Sequence, residues 1–153
     1  MGKILVVDDE AQVRDYLRKY LENRAFLEAK GYENVEYVVS TASTKEEAEN
    51  IIKSELFDFI LIDLRLNDLS EFGGIEVFQL ARKIQANAKA IIVSAYPFAD
   101  QVKEEFTNKL KNESDLPNLL SEIEQKYYVS KVSEGNVLFT VLDKLKELGN
   151  PDG

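Results

Sequence analysis

Five short apolar runs punctuate the chain: KILVV (3 to 7), VEYVV (35 to 39), FDFILI (57 to 62), AIIVS (90 to 94) and KYYVS (126 to 130). They are rich in β-branched and aromatic residues and show little alternation, the pattern of strands covered on both faces. Between them the apolar spacing becomes helical. Val13, Leu17, Tyr20, Leu21 and Leu27 follow one helical face towards Lys30-Gly31, a C-terminal stop. This predicts a first helix of nearly 20 residues, about 30 Å long at 1.5 Å per residue. A second helix is expected from Ser43-Thr44-Lys45-Glu46, a capping-box pattern, with Ala48, Ile51, Ile52 and Leu56 on its inner face. A third follows Gly73-Gly74 with Ile75, Phe78, Ala81 and Ile84 inward. The last runs from a Ser133 cap through Val137, Val141, Leu142, Leu145 and Leu148 to Gly149 and Pro151.

Strand and helix alternate throughout, which implies parallel strands joined by right-handed crossovers and hence an open, doubly wound α/β sheet of five strands. One connection departs from this rhythm. The stretch from about 97 to 125, between the fourth and fifth runs, has room for two helices. One starts near Asp100 and uses Val102, Phe106 and Leu110. The other starts at Asp115-Leu116-Pro117 and uses Leu116, Leu119, Leu120 and Ile123. Without internal repeat or linker, residues 1–153 read as a single domain.

Composition narrows the chemistry. The chain has no cysteine and no histidine, which excludes a disulfide framework, a Cys- or His-ligated metal and a Ser-His-Asp triad. Acid-base or metal chemistry then falls to carboxylates, hydroxyls, lysine and backbone, and hard cations such as Mg²⁺ become the expected metals. A net charge of −9 repels nucleic-acid backbones and anionic membranes, so neither is an expected partner. No stretch approaches the length of a membrane span, and KILVV is too short for a signal-peptide core; the expected location is cytoplasmic.

In doubly wound sheets ligands bind at the carboxyl ends of the strands. The first strand brings Asp8 and Asp9 to that rim, the third Asp63, the fourth Ser94 and the fifth Lys131. Three carboxylates placed together repel one another unless a divalent cation or an ammonium neutralises them. Mg²⁺ suits such a site, and one carboxylate is then able to attack phosphorus while the metal, Lys131 and Ser94 stabilise the transferring group. The reaction class indicated is phosphoryl transfer to an aspartate.

From KILVVDDE through FILIDLRL and AIIVSAY to YYVSKVS, the chain resembles a response-regulator receiver domain of two-component signalling, in the CheY-like superfamily. The resemblance implies a flavodoxin-like fold with strand order 2-1-3-4-5, to which the long fourth connection adds an extra helix between strands 4 and 5, atypical of the family. It makes Asp63 the phosphoacceptor, Asp9 the direct Mg²⁺ ligand and Asp8 a ligand through water. The backbone carbonyl of Arg65 completes the metal shell, Ser94 is the switch hydroxyl, Lys131 its phosphoryl-pairing partner and Tyr128 the aromatic rotamer switch. The implied partners are a histidine kinase or a histidine-phosphotransfer protein and a downstream protein, with a homodimer left open.

The chain also departs from the family pattern. Val132 stands where the family usually has a cis proline after Lys131, and LRLNDLSEFGG takes a longer path to its glycines after Asp63. Arg65 and Tyr96 are large enough to crowd a water attacking the phosphoryl group and so to slow self-dephosphorylation. Two other functions compete with phosphotransfer. One is a receiver-like binding module that acts independently of phosphorylation. The other is a haloacid-dehalogenase-like phosphatase, which normally has a second aspartate where Arg65 stands.

Overall fold

A computed structural model describes residues 2–66, 72–130 and 137–149. Five strands form one sheet: β1 (Gly2–Val7), β2 (Tyr37–Ala42), β3 (Phe59–Asp63), β4 (Lys89–Ser94) and β5 (Tyr128–Ser130). All neighbouring pairs are parallel, and the order is β2-β1-β3-β4-β5, as the family resemblance implies. The register sets the carboxyl ends almost level: Val7 lies opposite Ala42 and Ile62, Asp63 opposite Val93, and Ser94 opposite Ser130. Residues immediately after these positions share one rim.

The central strands are covered on both faces, which is why their sequences do not alternate between apolar and polar. On one face Leu5, Val7, Ile60, Ile62 and Ile92 pack under α3 (Lys45–Ser54), α4 (Gly74–Ile84), α5 (Asp100–Lys109) and α6 (Leu116–Lys126). On the other, Ile4, Val6, Leu61, Ile91 and Val93 pack under α1 (Ala11–Leu21), α2 (Arg24–Ala29) and α7 (Val137–Gly149). The edge strand β2 is the exception, with Val38 exposed and Val39 buried.

The two helices expected between the fourth and fifth strands are present as α5 and α6. Ile123 is fully buried, and Leu116, Leu119 and Leu120 pack partly buried against the same core, so this stripe docks on the body of the domain.

Four sequence expectations need correction. The first helix is not continuous. It breaks at Glu22-Asn23, where the Asn23 side chain caps α2 by accepting from Phe26 N at 3.0 Å, the preferred use of asparagine. The break brings Glu22 to the sheet edge, where its Oε2 accepts from Val39 N at 2.9 Å. The expected stop holds: Gly31 has φ +92° and Tyr32 N donates to Leu27 O at 2.9 Å, a glycine-dependent C-terminal turn.

Second, the capping box of α3 lies one residue later than its sequence pattern suggests. Thr44 Oγ1 accepts from Glu47 N at 3.1 Å, and Glu47 Oε1 accepts from Ser43 N at 3.2 Å. Third, Leu56 and Ile84 do not face inward; they are 78% and 44% exposed. The corner they were expected to fill is occupied by the buried Gln85. Its Nε2 donates to Ile52 O (2.8 Å) and Glu55 O (2.6 Å), and its Oε1 accepts from Phe57 N (2.9 Å). Fourth, β2 and β5 start later than their apolar runs, and Lys126 belongs to α6. Ser133, Lys131, Val132 and Asn67 lie outside the described residues.

Candidate functional site

The rim of the sheet gathers Asp8 and Asp9 from the end of β1 and Asp63 from the end of β3. One carboxylate oxygen from each lies within 4.8 Å of the others. Asp8 is buried, while Asp9 and Asp63 are half-buried. The Asp8 backbone is fixed at both polar groups. Its N–H donates to Ala42 O (3.0 Å), and its carbonyl accepts from Arg14 Nη1 (2.7 Å). Its Oδ1 accepts from Glu10 N at 2.9 Å. Oxygen donors brought this close, without nitrogen or sulfur, fit a small hard cation.

The start of α4 sits directly on the third strand's end. Gly74 N donates to Leu64 O at 3.0 Å, and a Cβ at Gly74 would lie 2.1 Å from Asp63 O. A glycine is therefore required for α4 to approach the backbone that carries Asp63.

Ser94 at the end of β4 is 1% exposed. Its Oγ accepts from Tyr96 N at 2.9 Å. Tyr128 on β5 lies inward, with its hydroxyl donating to Tyr96 O at 2.6 Å. Its ring stands edge-on to Phe98 (centroids 5.1 Å) and Phe106 (6.4 Å). Burial pushes the Tyr128 phenol up from its ordinary pKa; a hydrogen bond with Ser94 works against this, and the negative charge of Asp63 adds to it.

The Arg65 guanidinium lies over the rings of Phe72 (6.0 Å) and Tyr96 (5.8 Å), and its Nη1 donates to Tyr96 OH at 2.7 Å. Phe72 holds φ +60° and stands edge-on to Tyr96. Tyr96 thus contacts Ser94 through its N–H, Tyr128 through its carbonyl and Arg65 through its hydroxyl.

Of the residues expected at the site, Asp8, Asp9 and Asp63 form one cluster and Ser94, Tyr128 and Arg65 form a second around Tyr96. Lys131 lies outside the described residues. Sequence reasoning did not single out Arg14 or Phe98, and it named Phe106 only as a core-facing position of its helix. It also missed a junction of Glu76 on α4 with Lys45 of α3 and Lys109 of α5. These ion pairs, with the Lys45 hydrogen bond foremost, hold the Glu76 carboxyl below its ordinary pKa despite burial. A lysine at each end of separate helices gives no sequence signal for such a meeting.

This fold and this rim are those of a response regulator receiver domain, and the chain belongs to that family, whose model matches residues 4–112. Among curated proteins it is similar to the alginate biosynthesis transcriptional regulatory protein AlgB of Pseudomonas aeruginosa. The two are 34% identical over 99 residues, covering 65% of this chain and 19% of AlgB. It is also similar to sporulation initiation phosphotransferase F of Bacillus subtilis, at 28% identity over 67% of this chain and 71% of that protein. The chain thus spans well under a quarter of the length of AlgB and most of the length of the sporulation protein. Among solved structures, response regulator TrrA of Thermotoga maritima in complex with Mg(2+)-BeF aligns with a TM-score of 0.60 and 28% identity, covering 97% of this chain and 99% of that one. A CheY-like receiver domain protein from Methanospirillum hungatei aligns with a TM-score of 0.64 and 25% identity, covering 97% and 93%.

Proposed function

We propose that the chain is the phosphoacceptor receiver of a two-component system or phosphorelay. It takes a phosphoryl group from a partner's phosphohistidine onto Asp63 and changes a protein-binding surface in response. The observation that carries this reading is the meeting of Asp8, Asp9 and Asp63 within 4.8 Å at the rim, with Ser94 buried at the next strand end. The Mg(2+)-BeF complex of TrrA and the phosphotransferase name of the Bacillus relative agree with it.

In the transfer, a carboxylate oxygen of Asp63 attacks phosphorus, the phosphorus–nitrogen bond to the partner's imidazole breaks, and the imidazole leaves with a proton. Asp8, Asp9, Asp63 and the Arg65 carbonyl would hold Mg²⁺, which supplies positive charge to the phosphoryl oxygens. Ser94 then gives up the Tyr96 N–H to hydrogen-bond the phosphoryl group, and Lys131 pairs with it. Movement of Ser94 breaks its hydrogen bond with the inward Tyr128, whose ring is packed on Phe98 of the loop and Phe106 of α5, so α5 and α6 are the elements expected to respond. Arg65 and Tyr96 cover the approach of water, which lengthens the life of the acyl phosphate. The partners are a histidine kinase or a phosphotransfer protein and a downstream protein reached by contact, in the cytoplasm.

The test is incubation with Mg²⁺ and a small phosphodonor or beryllofluoride, comparing mass and amide exchange of wild type and Asp63→Asn. An Asp63-dependent adduct with altered exchange around Ser94, Tyr128, α5 and α6 is expected. Absence of that adduct overturns the reading. An adduct with no change in exchange points instead to a binding module indifferent to phosphorylation, and turnover of free phosphoesters points to a phosphatase.

A further inference from the structure

The carboxylate cluster has an unusual mechanical requirement. Asp8 and Asp9 are consecutive, yet both must turn towards Asp63, and repulsion among the three pushes the β1–α1 turn open. The turn is not closed by a side-chain cap on Glu10, which makes none. Across the turn Asp8 Oδ1 accepts from Glu10 N at 2.9 Å, and from α1 the Arg14 side chain reaches back to it. Glu10 O accepts from the backbone N–H groups of Val13 and Arg14, both at 3.2 Å, as the first turn of the helix, and Asp8 O accepts from Arg14 Nη1 at 2.7 Å. Asp9 lies between the two carbonyls so held. The Arg14 side chain is half-buried, and its bond to Asp8 is charge-assisted, the stronger kind.

We propose that Arg14 is a positioning residue of the cation site: by tying the Asp8 carbonyl to the first turn of α1, its side chain keeps Asp8 and Asp9 in register with Asp63 and so raises affinity for a divalent cation. This inference rests on the proposed metal role of the three aspartates. It assigns work to a residue that touches neither metal nor phosphoryl group.

The sign of the effect separates this role from a merely electrostatic one. A cation near a metal site opposes the metal by Coulomb repulsion, so deleting its charge alone tightens binding. Deleting a clamp loosens it, and the loss of groups that orient metal ligands typically weakens affinity by about 10- to 100-fold.

The experiment is isothermal titration of Mg²⁺ into wild type, Arg14→Ala, Arg14→Lys and Asp9→Asn at fixed ionic strength, with far-ultraviolet circular dichroism to check the fold. Arg14→Ala is expected to bind Mg²⁺ at least about tenfold more weakly than wild type, with partial recovery in Arg14→Lys. Binding by Arg14→Ala as tight as wild type, or tighter, overturns the inference. Should Arg14→Ala not fold, Arg14→Lys decides: weaker binding than wild type supports the clamp, and equal or tighter binding overturns it. Failure of wild type to bind, or binding unchanged in Asp9→Asn, would sink the metal reading itself and is distinguishable from both.

Discussion

Gly74 is held to glycine by backbone rather than by side chains. A Cβ there would meet Asp63 O at 2.1 Å and Leu64 Cα at 2.9 Å, and neither atom can retreat without moving the strand end. Gly74→Ala is therefore expected to cost about 3 kcal/mol in denaturant unfolding and to displace Asp63, lowering Mg²⁺ affinity in the surviving folded protein. Tyr96 is a residue whose importance was only half visible in the sequence. Its size and its place two residues beyond Ser94 suggested a role in crowding water, and its hydroxyl does meet Arg65. Its bonds to Ser94 and Tyr128 use main-chain atoms, which carry no residue signature. Arg14 escaped notice for the same reason, since its partner is a carbonyl. The aspartates, common enough singly at strand ends, were legible because they fall with a hydroxyl and a lysine at the ends of four strands. For the lifetime of the phospho-form, Arg65→Ala/Tyr96→Ala is expected to hydrolyse faster than wild type in a single-turnover assay; a phospho-form of equal lifetime contradicts the crowding role.

Among the elements, strands and helices were readable from apolar spacing, while their ends were not. The α1–α2 break illustrates the cause. Leu17, Leu21 and Leu27 all reach the same core, so helical periodicity continues across a real interruption, and only Asn23 marks it. Asn23→Ala should cost about 1 kcal/mol by loss of the cap. At the corner under α4, Gln85 satisfies three backbone groups at once, a task that composition cannot announce. Glu76 joins α3, α4 and α5 through Lys45 and Lys109, and its pKa is depressed in the fold. A depressed carboxyl contributes stability that is present above the unfolded pKa and lost as pH falls through the folded one. Wild type should therefore lose its advantage over Glu76→Gln on acidification, measured as the difference in thermal midpoints between neutral pH and pH below the usual glutamate range.

Across the whole molecule, distant parts of the chain are tied by hydrogen bonds and charge, and under the proposed function by a cation. Tyr32, after α2, donates to Asp143 of α7 at 2.6 Å, and burial first, then this bond and its charge, push the phenol up to about 12. A raised pKa gives stability that is full below the unfolded value and lost as pH rises through the folded one. The stability margin of wild type over Tyr32→Phe should accordingly shrink from about pH 10 upward. Three carboxylates at one rim destabilise the metal-free fold, so Asp9→Asn should melt higher than wild type in chelator. Saturating Mg²⁺ should stabilise wild type by about 2.7 kcal/mol at one hundred times the dissociation constant and leave Asp9→Asn almost unmoved. Alternation made the parallel sheet inferable and the family resemblance supplied its strand order; the meeting of three strand ends at Tyr96 arises only from their register. Two of the three arms of Tyr96 belong to its peptide, which every residue type but proline possesses in full, and the third to its hydroxyl. Inherited substitution at this position, proline apart, thus alters the arm that meets Arg65 and leaves the main-chain links to Ser94 and Tyr128 in place: under the proposed function, the timing of the signal can drift between descendants of the chain without its wiring being cut.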